Sequence, residues 1–276
     1  MPSSNDNVIL NANATIPSGF VAQAGTIEMG TSGNLILNDG AQLIHGNGGV
    51  TATVKKKITA YTPNTKNGWY LVSSPATEGF APSADNGFLA NEYDLYFYEE
   101  STHHWRNHKS NDQYATFNIE PLKGYLYANS ANNTLSLMGT LRTATETVSV
   151  PLSYTDGIAL AGFNLVGNPF AHNVTSFTGS NVATEVYRMN ETKDDLTVAN
   201  ITATDPLKPG EGFFVEATGD DASITFNSRA NNAERSNITL EVSENSLIID
   251  RFILKRKGAP LEKITLNENR TKVYAT

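Results

Sequence analysis

The chain has no cysteine in its 276 residues. That absence excludes disulfide staples, a thiolate nucleophile and cysteine-ligated zinc. No apolar run is long enough to span a bilayer. Lysine and arginine are missing from the first 54 residues, Lys55 being the first basic residue. Charge is sparse throughout, at 17% against 39% hydrophobic residues, so the surface rests on Asn, Ser and Thr rather than on ion pairs. That balance suits an extracellular β protein better than a cytosolic enzyme. The net charge of −8 is repelled by a phosphate backbone and argues against a general nucleic-acid binder. No Gly-x-Ser-x-Gly elbow, His-Glu-x-x-His pair or phosphate loop occurs, so no catalytic residue is assigned. Nothing long shows a helical period; brief helical turns are expected only in loops, for instance near 171–177.

A repeat is present instead. Gly68-Trp69-Tyr70-Leu71-Val72-Ser73-Ser74-Pro75-Ala76 returns as Gly162-Phe163-Asn164-Leu165-Val166-Gly167-Asn168-Pro169-Phe170, 94 residues later. Leu-Val after an aromatic residue suits a buried strand, and small residues before proline end it. The flanks match in the same order. Val54–Ile58 aligns with Val148–Leu152, Tyr93–Tyr98 with Thr184–Met189, and Pro121–Tyr127 with Pro209–Val215. The offsets shrink from 94 to 91 to 88, as expected if loops of the second copy are shorter. In the strand at Tyr93–Tyr98, Leu95 and Phe97 share one face and Tyr96 and Tyr98 the other. The second copy has Arg188 where the first has Phe97. The comparison therefore assigns Tyr96 and Tyr98 to the core and turns Phe97 toward solvent or a partner.

These patterns divide the chain into four parts. Residues 1–50 hold short aliphatic pieces separated by Gly and Asn, the spacing of a β-solenoid-like segment. The competing reading is a β-meander with Asn38-Asp39-Gly40 as a hairpin turn. Residues 51–146 and 147–235 are the two copies, read as tandem β-sandwich-like repeats. Residues 236–276 are either closing strands or the start of a truncated C-terminal β domain. The fold class is all-β. Lys55-Lys56-Lys57 reads as a solvated strand edge that discourages aggregation, rather than as an anionic-glycan patch.

The stretches at 162–170 and 209–215 resemble a repeated β-module of secreted and cell-surface proteins from Bacteroidota. So do the lead-in Val50–Ile58 into Gly68–Pro75 and the Gly/Asn-rich segment 25–45. Residues 249–276 are similar to the junction into the C-terminal sorting or anchoring domain of those proteins. The resemblance implies export or display on the cell surface, with the signal peptide and sorting region absent from this fragment. It carries no catalytic residues onto these positions.

His103-His104-Trp105-Arg106-Asn107-His108 is the one cluster that invites a ligand. His104 and His108 would share a face on a helix, but the region reads as a hairpin, so no metal or other cofactor is assigned. Trp105 with its polar neighbours suits stacking on a sugar. The candidate ligand-binding residues are Trp105, Phe97, His104 and Arg106. Asp194-Asp195 and Asp220-Asp221 read as solvated turn residues rather than calcium ligands. The expected role is a non-enzymatic adhesin or structural stalk. The alternative is the non-catalytic carbohydrate-binding part of a secreted polysaccharide-degrading enzyme. The partners expected are glycans or host and matrix surface proteins, with no nucleic acid and no membrane insertion.

Overall fold

The computed structural model describes residues 6–31, 33–88, 92–109 and 116–227, and the backbone of 238–244 and 247–254. The protein is all-β, built of several small sheets. Short aliphatic runs broken by Gly and Asn give β1 (Asn7–Leu10), β2 (Ala14–Ile16), β3 (Val21–Ala24), β4 (Thr26–Met29), β5 (Leu35–Leu37) and β6 (Gln42–His45). They pair in parallel: β1 with β4, β2 with β5, β3 with β6. Asn7 lies opposite Thr26, Ala14 opposite Leu35 and Val21 opposite Gln42, so the chain returns to each ladder after about twenty residues. Parallel neighbours cannot be joined by a tight turn. Asn38-Asp39-Gly40 is accordingly a corner between β5 and β6, which belong to different sheets, and not a hairpin turn. The corner is repeated: Gly19 and Gly40 both take left-handed backbone, at φ 80° and 78°, where glycine carries no steric penalty. Asn13 Oδ1 accepts from both N and Nδ2 of Asn34 at 3.1 Å, so side chains as well as backbone join successive turns.

The first repeat copy follows with β7 (Thr51–Ile58), β8 (Tyr70–Ser73), β9 (Tyr93–Glu99), β10 (His104–Asn107), β11 (Gly124–Asn129) and β12 (Asn133–Thr140). The second has β13 (Val148–Pro151), β14 (Phe163–Gly167), β15 (Thr178–Ser180), β16 (Val182–Met189), β17 (Leu196–Ala199), β18 (Gly212–Ala217) and β19 (Ser223–Phe226). Four sheets result, ordered β12-β7-β5-β2, β10-β9-β11-β8, β14-β18-β16-β17 and β13-β19-β15. The lysine triplet is not a solvated edge. β7 is paired with β12 along its whole length, and β5 joins its other side at Thr53 and Val54. Lys56 shares the inward face with Ala52, Val54 and Ile58 and is only 8% exposed.

Side-chain alternation distributes these sheets over three cores. Leu37, Val54, Leu135 and Leu137 meet Leu95, Tyr125 and Tyr127 in the first. Leu71, Tyr98 and Leu126 meet Leu165, Tyr187, Met189 and Phe214 in the second. Val166, Phe213 and Val215 meet Val148, Val150, Ile224 and Phe226 in the third. The two middle sheets are thus covered on both faces, which is why their strands read as nearly continuous apolar and aromatic runs.

The matched sequence stretches occupy matched strands. β8 pairs with β11 as β14 pairs with β18, and β7 with β12 as β13 with β19. Contacts between the copies are exchanged in the same way. Ser73 N donates to Gly210 O at 3.2 Å, and Gly167 N donates to Leu122 O at 2.9 Å. Gly167 is the counterpart of Ser73, and Gly210 of Leu122. Gly124 and its counterpart Gly212 face each other so closely that a Cβ on Gly212 would lie 3.3 Å from Gly124 Cα. Residues meeting the equivalents of their own partners is the contact pattern of a two-fold axis.

Residues 171–177 contain no helix. Asn168 holds the chain there, accepting from Phe170 N at 2.9 Å and donating to the carbonyls of His172 and Leu207 at 3.0 Å. The helical pieces among the described residues are 3-10 turns at Ala84–Asn86 and Glu100–Thr102. No helix among them is long and apolar enough to cross a membrane. Residues 238–254 belong to a second compact unit. Its β20 (Ile238–Glu244) and β21 (Leu247–Leu254) form an antiparallel pair. The expectations for Lys255 onward lie outside the described residues.

Gly124→Ala tests the contact between the copies. The new Cβ would sit 2.8 Å from Leu165 Cδ1 and from Val166 O. Overpacking of this kind is expected to remove about 2 kcal/mol in urea unfolding. An unchanged midpoint would mean that the copies do not press together at this point.

Candidate functional site

The predicted ligand residues lie on the β9–β10 hairpin, and its register decides which of them meet. Trp105 is opposite Tyr98, Arg106 opposite Phe97 and His104 opposite Glu99. Trp105 therefore shares a face with Tyr96 and Tyr98, while Phe97, Arg106 and His104 are on the other. Phe97 is half-buried and lies on the opposite face of the hairpin from Trp105. Phe97 packs edge-to-face on Phe117 at 4.9 Å and against the first core, beside the fully buried Leu95. Comparison with Arg188 misled because both faces of the β9 sheet are covered, and because Arg188 is itself drawn inward by acidic partners. Arg106 Nε and Nη2 donate to Glu99 Oε2 at 3.0 and 2.5 Å and so brace the hairpin. The Thr102 hydroxyl, then Arg106, hold the Glu99 carboxyl below its ordinary range. His104 is exposed and bonded through Nδ1 to Thr102 O. His103 contacts the Tyr98 hydroxyl at 2.7 Å and His108 that of Tyr93 at 3.2 Å, so the three histidines do not converge.

Trp105, 39% exposed, belongs to a row of aromatic rings. Its centroid lies 6.5 Å from Tyr96, which lies 6.2 Å from Trp69, which lies 5.6 Å from Tyr61. Strand register builds the row. Tyr70 pairs with Tyr127, so Trp69 comes level with the small Ala128 and its ring reaches across toward Tyr96 on β9. At the inner end Phe214 of the second copy packs on Tyr98 and Trp105 at 5.5 and 5.8 Å. Tyr61, Trp69 and Tyr96 remain partly exposed. Burial, with the Asp94 carboxylate nearby, raises the Tyr96 phenol above its ordinary value, so it stays a neutral hydrogen-bonding group at physiological pH.

A second feature was not read from the sequence. A small cleft is lined by Lys56, Tyr70, Leu71, Arg188, Met189, Lys193, Glu211 and Gly212, drawn from both copies. Glu211 is its centre. Oε1 is 3.1 Å from Lys56 Nζ, and Oε2 accepts from Arg188 Nη2 at 3.2 Å and from Lys208 N at 3.1 Å. Asp39 and Asp205 stand outside these cations, 3.8 Å from Lys56 and 2.9 Å from Arg188. Burial alone would raise the Glu211 carboxyl; Lys56, the Lys208 amide and Arg188 outweigh it and hold the group below its ordinary value. The Lys193 ammonium lies over the Tyr70 ring, 5.8 Å from its centroid. Burial lowers it; Glu211 opposes that, and Lys56 and Lys208 add to it. Lys56 and Glu211 are 155 residues apart, so no local motif joins them. The available signal was Arg188, a charge on a face that is aromatic in the other copy.

The Asn164–Phe170 stretch is structural. Asn164 closes on Ser153 through both backbone groups, at 2.9 and 2.8 Å, and Asn168 and Phe170 are fully buried. Asp194 is bonded within its turn to Asn190 and Thr192, and Asp221 has left-handed backbone at φ 55°. Among the described residues, no group of three or more His, Asp or Glu side chains is arranged to hold a metal ion. No protein-family model, curated protein or solved structure matches the chain.

Two stability measurements follow. Phe97→Ala is expected to lose about 3 kcal/mol as a core truncation and Trp105→Ala clearly less; the opposite ranking would restore Phe97 to the surface. Glu211→Gln is expected to lose about 2 kcal/mol near neutral pH by removing the charge that Lys56 and Arg188 share. Because the folded carboxyl is depressed, its stabilisation is present above the ordinary value of 4.5 and is lost as pH falls through the lower folded value. The gap between wild type and variant should therefore close in acid. A gap independent of pH would contradict the ion-pair assignment.

Proposed function

We propose that this is a non-enzymatic, modular β protein of the cell exterior that acts as an adhesin, holding a glycan on the row formed by Tyr61, Trp69, Tyr96 and Trp105. The row carries the reading. Sugar rings present apolar C–H faces and polar edges, and partly exposed aromatic faces with a polar rim complement them. Asp94 and Asn107 supply such a rim, lying on the same strand faces as Tyr96 and Trp105. The architecture that would present it is a β-solenoid-like segment at 1–50 followed by tandem β-sandwich-like repeats at 51–146 and 147–235. Parallel pairing at about twenty-residue spacing and equivalent strand pairings in the copies support that description. The sparse charge and the resemblance to secreted Bacteroidota modules support an extracellular setting. The same row also favours a second reading, the carbohydrate-binding part of a secreted polysaccharide-degrading enzyme.

The test is binding of the purified chain to a broad array of glycans and matrix proteins, beside Trp105→Ala and Tyr96→Ala. The expected outcome is retention of one sugar class by the wild type and a loss of at least tenfold, about 1.4 kcal/mol, in both variants. Binding that survives both substitutions would remove the row from the account. No binding by the wild type would leave a spacer or stalk.

A further inference from the structure

The geometry points to the cleft between the two copies as a binding site for a single carboxylate, carried on an acidic saccharide such as a uronic acid. This deepens, and rests on, the reading of the aromatic row as a glycan surface.

The protein carries a net charge of −8, yet it gathers Lys56, Arg188 and Lys193 around one cleft, with Lys208 beside them. Two of these cations are committed to Glu211. Lys193 is not: among the described residues its ammonium forms no ion pair. It is nevertheless half-buried, resting over the Tyr70 ring in left-handed backbone at φ 60°. A cation partly withdrawn from water is disfavoured; Glu211 attracts it without forming an ion pair, and an incoming carboxylate supplies a direct partner.

The charge of the ligand follows from Glu211. Both of its oxygens are occupied, so Lys56 and Arg188 are held in place and lend the cleft a positive field. The same carboxylate repels a second anion, and one cation beside it that is in no ion pair matches a monoanion rather than a phosphate dianion. The saccharide assignment follows from position. The Lys193 carbonyl accepts from Gly68 N at 3.0 Å and from Trp69 N at 2.9 Å, so the loop that carries the Lys193 ammonium is fastened to a residue within the aromatic row.

The experiment is a chemical-shift titration at low ionic strength with glucuronate, its methyl ester and acetate, on the wild type, Lys193→Met and Trp105→Ala. The wild type is expected to bind glucuronate at least tenfold more tightly than the uncharged ester. Lys193→Met should abolish that difference with an unchanged melting temperature, and Trp105→Ala should keep it. A wild type that does not distinguish acid from ester, or a Lys193→Met protein that still does, overturns the carboxylate site. Acetate binding as tightly as glucuronate overturns the saccharide assignment and leaves a site for free carboxylates. Failure of the aromatic-row reading looks different: acid and ester remain distinguished, while Trp105→Ala leaves the affinity for both unchanged.

Discussion

A β-sheet covered on one side can leave the other to water, but a sheet aromatic on both faces cannot. That constraint organises this protein. β9 carries Tyr93, Leu95 and Phe97 on one side and Tyr96 and Tyr98 on the other, and neither side can be left wholly exposed. The first side is covered by the sheet containing β7 and β12. The second is covered in part by the other copy of the repeat, through Leu165 and Phe214 against Leu71, Leu126 and Tyr98. Backbones approach closely at that contact because Gly124 and Gly212 meet there, and a side chain on either would push the sheets apart.

Polar ties hold the same contact in register. Glu100, 5% exposed, follows β9 in the first copy and accepts from Thr155 N, Thr155 Oγ1 and Gly162 N of the second at 2.8, 2.9 and 2.7 Å. Glu211 does the reverse, reaching from the second copy to Lys56 in the first. A buried carboxylate that loses its hydrogen-bond donors carries its full desolvation cost. Such ties therefore exclude shifted dockings that the apolar contact alone would allow.

The all-β class and the positions of the matched strands were legible because each depends on local chemistry: alternation, small residues before proline, glycine at turns. The strand expected at Tyr93–Tyr98 is present as Tyr93–Glu99. What was not legible depends on pairs far apart in the chain. Lys56 reads as a solvated residue in a basic triplet until Glu211 is brought beside it. Phe97 reads as exposed by analogy with Arg188, because sequence comparison equates positions without showing that one end of the matching layer is apolar and the other ionic. Trp69 and Tyr61 were passed over for the site because only the register of β8 on β11 and of β11 on β9 brings them to Trp105.

The duplicated scaffold also explains where chemistry is to be found. In a two-fold arrangement every feature at the junction would occur twice. The counterparts of Lys56, Tyr70, Arg188, Met189 and Glu211 are Val150, Asn164, Phe97, Tyr98 and Lys123. One side of the axis has become a cationic cleft around a carboxylate; on the other side Val150, Phe97 and Tyr98 belong to the apolar layers, Asn164 is bonded to Ser153 and Lys123 is exposed. The residues shared by both copies, Gly68 and Gly162, Leu71 and Leu165, Gly124 and Gly212, make the scaffold. The residues that differ at the same junction make its two halves chemically distinct. Any binding specificity at this junction therefore has to come from the differences between the copies, and Arg188 and Glu211 are where those differences in charge are concentrated.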